Sequence, residues 1–252
     1  MKLKLTLSAA ALLAISACQT SLQTTSGADY LSRYNTTHNA TQSGPTTSID
    51  DDVREIANVE PNLAFPARIG LARIDRAGLV NVPADEGYIW QETFKNLGAL
   101  YGEFVPVSPL IAATVAKPKQ PGASRDAAII ANIRRGAARQ HLDYVLVYEV
   151  GSTRREKANA LALADLTIIG MFVLPSRDIE IEASASAILL DVRTGYPYAT
   201  ITSHAEKSGV SSVISEYSSS IALADTAEER AVAKLAADVE AGMKDLAALS
   251  NQ

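Results

Sequence analysis

Tyr144-Val145-Leu146-Val147-Tyr148-Glu149-Val150 is the stretch on which the fold turns. Both alternating faces of this run are apolar up to Glu149, the pattern of a central strand covered on each side. Working upstream, Ser124 stands at the start of a helical pattern reaching about His141. Ala127, Ile130, Ile133 and Ala137 form its inner stripe, and Arg125, Arg134, Arg135 and Arg139 its wet side. Before it, Phe104 to Pro109 reads as a short edge strand or connector. A helix over roughly Asp85 to Leu100 places Trp90, Phe94, Leu97 and Tyr101 on one side. Ala67 to Ile74, bounded by Pro66 and by Asp75-Arg76-Ala77-Gly78, alternates as a strand. Strand, helix, strand-like piece, helix and strand in this order define an α/β fold with a mixed sheet.

Downstream the pattern changes to an antiparallel meander. Ile179 to Asp191 and Tyr196 to Ala205 are alternating runs joined through Val192-Arg193-Thr194-Gly195, a hairpin signal. Leu166 to Leu174, stopped by Pro175, adds a third candidate strand. Glu180, Glu182, Ser184 and Ser186 share one face of the long strand, which is therefore expected to meet water. Thr226 and Glu229 have capping-box spacing and predict the start of a long last helix, whose Val232, Leu235, Val239, Met243 and Leu246 face inward. The fold class expected is thus α/β, with a mixed sheet of β-α-β-α-β followed by a meander, flanked by helices and closed by a long C-terminal helix.

The beginning of the chain carries a different message. Lys2 and Lys4 precede an apolar run from Leu5 to Ile15, and small residues lead into Cys18, the only cysteine. A basic start, a short apolar core and small residues before a cut site are the marks of a secretory signal. The core is well short of the ~20 residues of a membrane-spanning helix. Ile15-Ser16-Ala17-Cys18 resembles the lipobox of bacterial lipoproteins. That resemblance implies cleavage before Cys18, a diacylglycerol on its thiol and an amide-linked acyl chain such as palmitate. Gln19 after the cysteine implies the outer rather than the inner membrane. Residues 1–17 are accordingly read as signal peptide, 18–47 as a flexible Ser/Thr-rich tether and 48–252 as a single periplasmic α/β domain. The tether reading rests on residues 19–47 having almost no large aliphatic side chains. Tyr30, Leu31 and Tyr34 are the exception, an island able to dock on the domain.

Charge narrows the function. The chain has 23 Lys+Arg against 28 Asp+Glu, a net −5, and loss of Lys2 and Lys4 with the signal makes the balance more acidic. An acidic chain without a basic stripe is a poor match for nucleic acid. With Cys18 acylated no disulfide can form, and the fold stands on packing alone. Gly-x-Ser-x-Gly, Walker, His-Glu-x-x-His and dinucleotide-binding glycine patterns are all absent from the sequence. Of three histidines, His204 has serines nearby at Ser203 and Ser208, a weak hydrolase arrangement. Asp50, Asp51 and Asp52 suit a helix N-terminus better than a calcium loop. No catalytic residues, cofactor or metal are expected.

Val147-Tyr148, Asn159-Ala160-Leu161, the passage from Leu166 to Pro175, Leu190-Asp191-Val192 and Phe65 to Gly70 together resemble a group of proteobacterial rhombotarget lipoproteins. The layout of a lipobox, an α/β unit and an Asp191-x-x-Thr194-Gly195 hairpin is also similar to the periplasmic domain of the curli-secretion pore lipoprotein. These resemblances imply a non-enzymatic, membrane-anchored module that binds a protein partner or its own copies. The second implies an alternative, a subunit of an oligomeric secretion pore. Free sheet edges and the hairpin residues Arg193, Thr194, Gly195, Tyr196 and Tyr198 are the expected docking surface, with no small-molecule substrate.

Overall fold

A computed structural model describes residues 19–36, 51–158, 177–211 and 216–250. The elements run β1 (Gln19–Leu22), α1 (Gly27–Thr36), α2 (Asp51–Ala57), β2 (Ala67–Asp75), β3 (Gly78–Val80), α3 (Ala84–Leu97), β4 (Gly102–Pro106), α4 (Pro109–Val115), α5 (Arg125–Arg139), β5 (Tyr144–Ala158), β6 (Arg177–Asp191), β7 (Pro197–Ser211) and α6 (Glu216–Ser250). The seven strands form one mixed sheet in the order β1-β7-β6-β5-β2-β3, with β4 also beside β2. Both β4 and β5 pair parallel to β2, and the remaining pairs are antiparallel. This is the expected α/β class. The candidate strand Leu166 to Leu174 lies outside the described residues.

Alternation along the strands makes two cores. Ile69 and Leu71 of β2, Tyr144, Leu146 and Tyr148 of β5, and Ile179 through Leu189 at every second position of β6 point to one side. There they meet α3 through Trp90 and Leu97, and α6 through Val232, Leu235, Val239, Met243 and Leu246, all buried. Ala183, Ala185 and Ala187 on β6, opposite Ala227, Ala231 and Ala236 on α6, leave room for a long helix to lie close to the sheet. Behind the sheet, Val145 and Val147 pack on Ile133 and Ala137 of α5 in a second, smaller core. Ser124 caps α5 by accepting the Ala127 N–H at 3.1 Å. Within α5 the inner stripe is shifted from the expected one: Ile133, Gly136 and Ala137 are buried, while Ala127 is exposed. Gly136 is where α4 crosses, since a Cβ there would come within 2.7 Å of the Ala112 methyl.

Two readings need correction. Thr226 and Glu229 do not start the last helix, because α6 already begins at Glu216. Thr226 sits inside it and donates its hydroxyl to the Ala222 carbonyl four residues back, at 2.8 Å. A Thr-x-x-Glu spacing is equally compatible with a helix interior, where threonine bonds backward. Second, residues 19–36 are not a flexible lead. Gln19 to Leu22 pair antiparallel with Ala199 to Thr202, and α1 follows. An edge strand is held by backbone bonds, so the absence of large aliphatics did not exclude it. Leu22, half-buried, packs against the main core. Residues 37–50 lie outside the described residues.

Candidate functional site

The hairpin after β6 is built around one carboxylate. Asp191 is buried, and its Oδ1 accepts the N–H of Arg193 at 2.7 Å and of Thr194 at 2.9 Å, a turn mimicking a backbone turn. Gly195 has φ 79°, the left-handed conformation that favours glycine. Arg134 reaches over from α5 and donates to the Val192 carbonyl at 3.1 Å and the Arg193 carbonyl at 2.8 Å. Its guanidinium occupies the space a Cβ on Gly195 would fill. Arg134 is thus a clamp on the hairpin rather than a free residue of a wet helix face.

Of the expected docking residues, only Arg193 and Thr194 are exposed. Gly195 is half-buried, and Tyr196 and Tyr198 are in the core, Tyr198 completely. The reason is a bulge. Leu189 pairs with Ala199 but Leu190 with Pro197, so Tyr198 is the extra residue and is turned inward. It meets Tyr144 edge-on at 5.6 Å and Tyr196 at 5.2 Å, and its hydroxyl oxygen accepts the Asn62 N–H at 3.0 Å. Burial pushes the Tyr198 phenol up to about 12 and raises those of Tyr144 and Tyr196. These tyrosines hold the fold and offer a partner no surface.

On the covered side lies a charge cluster that sequence reading passed over. Arg73 Nε donates to both oxygens of Glu86 at 3.0 and 2.9 Å, and Tyr148 donates to Glu86 Oε2 at 2.6 Å. Glu86 is 6% exposed. Burial alone would lower the Arg73 guanidinium, but its bonds to Glu86 outweigh that and hold it above its ordinary value. Burial first, then the bond to Glu86, drives the Tyr148 phenol well above the usual range. The signal for this cluster was a charge at an inward position of an apolar strand: Arg73 alternates with Ile69 and Leu71, so it required a buried partner. With every oxygen of Glu86 bonded to protein, the cluster ties α3 to β2 and β5.

The weak hydrolase arrangement falls apart geometrically. Ser203 points to the covered side and donates to Asp238 of α6 at 2.6 Å, whereas His204, the next residue, is exposed on the opposite face. Ser208 shares the His204 face but lies four residues along the strand, roughly 13 Å. Among the described residues no group of three or more His, Cys, Asp or Glu side chains is placed to hold a metal ion.

What the sheet offers outward is its second face. The smaller core ends near Ile188; beyond it Ser184 of β6 is exposed, as the polar alternation of that strand predicts, and so are Thr200, His204 and Glu206 on the same face of β7. Ile129 and Ile130 of α5, Ile74 to Arg76 at the β2–β3 turn, and Ser184, Ser186 and Thr200 line a groove of about 1060 Å³ along this boundary. Arg76, Arg125, Asp75, Asp126 and Glu149 put both signs of charge at its rim. No helix among the described residues is long and apolar enough to cross a membrane.

The geometry defines an α/β protein with a seven-stranded mixed sheet, covered by a long helix on one face and half-covered on the other. No family model matches the chain, so the rhombotarget resemblance gains no support there, and no curated protein matches it. Solved structures do show similarity. The PelC dodecamer from Paraburkholderia phytofirmans aligns with TM-score 0.34 and 14% identity over 72% of this chain and 90% of that one. Lipoprotein GNA1162 from Neisseria meningitidis aligns with TM-score 0.32 and 16% identity over 62% and 99%. The protein CT253 from Chlamydia trachomatis gives 0.30 and 14% over 69% and 96%.

Proposed function

We propose that the chain is a bacterial lipoprotein acylated on Cys18 and held at the periplasmic face of the outer membrane. Its α/β domain, which takes in residues 19–36, serves there as a protein-binding or scaffolding module without catalysis. The N-terminal sequence supports the address. The observation that carries the role is the uncovered half of the sheet. A groove with charges of both signs and an exposed Ser/Thr-lined strand face lie beside a fold whose buried Asp191, Glu86 and Ser203 are committed to holding structure. Affinity on such a surface comes from a partner's complementary shape and charge.

A photo-crosslinking residue at Thr200 in the lipidated protein is expected to give discrete adducts in membranes. The same residue at Leu110, which is 81% exposed on α4, is expected to give none. Equal labelling at both positions overturns the role, and a soluble wild-type protein, indistinguishable from Cys18→Ser, overturns the address. The alternative, a pore subunit, is favoured by one feature: β5 and β6 stay paired over 15 residues each, out to Ala158 and Arg177. A ring-sized particle in light scattering of the detergent-solubilised protein selects it.

A further inference from the structure

If Cys18 carries the anchor, the manner in which the next residues are held fixes how the domain meets the bilayer. A free lead of about 30 residues would let the domain wander ~30 Å from its anchor. The chain has no such lead. Gln19 is already the first residue of β1, register partner of Thr202, and consecutive Cα atoms are only ~3.8 Å apart. The chain that follows β1 is fastened to β7 and its hairpin as well. Gln23 N–H donates to the Tyr198 carbonyl at 2.9 Å, and the Tyr196 hydroxyl donates to the Thr25 carbonyl at 3.0 Å. Gly242 of α6 comes close to this edge: a Cβ there would lie 3.7 Å from Leu22 and 3.9 Å from Thr20, and would crowd Ile201 of β7 at 3.2 Å. Ser26 and the Ala28 N–H then both bond Glu60, pinning the start of α1 as well.

We propose that the domain sits flush on a phospholipid bilayer, sheet edge first, with β1 acting as a rigid arm rather than a tether. This rests on acylation of Cys18. The surface turned to the lipid is β1, the part of β7 that continues past it from Ser203, and the neighbouring flank of α6. Among the described residues no strand pairs with β7 beyond Thr202 on this edge. Its His204 carbonyl is taken instead by the ammonium of Lys234, at 2.9 Å, which sets an exposed cation at the edge where headgroup phosphates would lie. An edge of polar backbone and hydroxyl groups suits the hydrated headgroup layer and not the hydrocarbon. The open face and groove then stand at an angle to the membrane, reachable by partners moving in its plane.

The test uses full-length, lipidated protein in phosphatidylethanolamine/phosphatidylglycerol vesicles containing nitroxide-headgroup lipid. Acylation leaves Cys18 without a free thiol, so His204→Cys or Leu110→Cys takes a single fluorophore, both at exposed positions. Quenching is expected to be several-fold stronger at position 204 than at 110. A flexible Gly/Ser insert of about 20 residues between Cys18 and Gln19, reaching ~25 Å, should abolish that contrast while the protein still floats with the vesicles. Equal quenching at both positions in floating, insert-free protein overturns the flush geometry and leaves the anchor standing. Failure to float overturns the anchor, and the proposal with it.

Discussion

The two sides of β6 live in different solvents. Ile179, Ile181, Ala183, Ala185, Ala187 and Leu189 are 5% exposed or less, under α6. Asp178, Glu180 and Ser184, on the other side of the same strand, are exposed, and only from Ile188 does α5 begin to cover it. Backbone pairing is identical for both sets, so the difference in what they tolerate isolates the contribution of the covering helix. It teaches that apolar packing is concentrated on one face of the sheet, while much of the other is left to polar side chains.

The sharpest way to break this picture is through the buried charge. Glu86→Ala leaves the Arg73 guanidinium, 15% exposed, without its bidentate partner and removes the acceptor of the Tyr148 hydroxyl. Breaking a buried pair from one side costs about 3–5 kcal/mol, and urea unfolding of the variant should show a loss of that order. A loss under ~1 kcal/mol, the range of an exposed pair, would mean water reaches Arg73 and the covered face is not sealed.

A second measurement sharpens the contrast between faces. Leu235→Ala on α6, at a site with no exposure, should cost ~3 kcal/mol, a middle value for truncating a buried leucine. Ser184→Ala on the open face should stay within ~0.5 kcal/mol. Comparable losses for the two would show that something already covers the open side in the free protein.

Which parts of this were legible follows from the kind of interaction involved. Strands and helices held by apolar alternation, such as Tyr144 to Val150 and the stripe from Val232 to Leu246, announce themselves because the core requires that spacing. The wet side of β6 did so for the same reason. β1 did not, because pairing through backbone amides demands nothing of the side chains of Gln19, Thr20 and Ser21. Nor did the fate of Tyr198: plain alternation puts it beside Thr200 on the open face, and a single bulge moved it to the other. Glu86 was hidden by distance in sequence, since its partners Arg73 and Tyr148 are joined to it only by the fold.

An effect smaller than the loss of either Glu86 or Leu235 is the most specific to the covered side. Tyr198 is fully buried and its phenol is pushed up to about 12 by burial, whereas an unfolded chain ionises near the ordinary value of 10. The folded state therefore keeps its proton where the unfolded state gives it up. Stability is unaffected below pH 10 and falls between pH 10 and 12 by about 1.4 kcal/mol per pH unit for each such tyrosine. Tyr198→Phe loses the bond from the Asn62 N–H, about 1 kcal/mol at neutral pH, but should show a shallower decline above pH 10 than the wild type. The measurement is urea unfolding at intervals from pH 7 to 11.5. Parallel curves for the two proteins would place the Tyr198 hydroxyl in contact with water and undo the bulge as the device that seals the covered face.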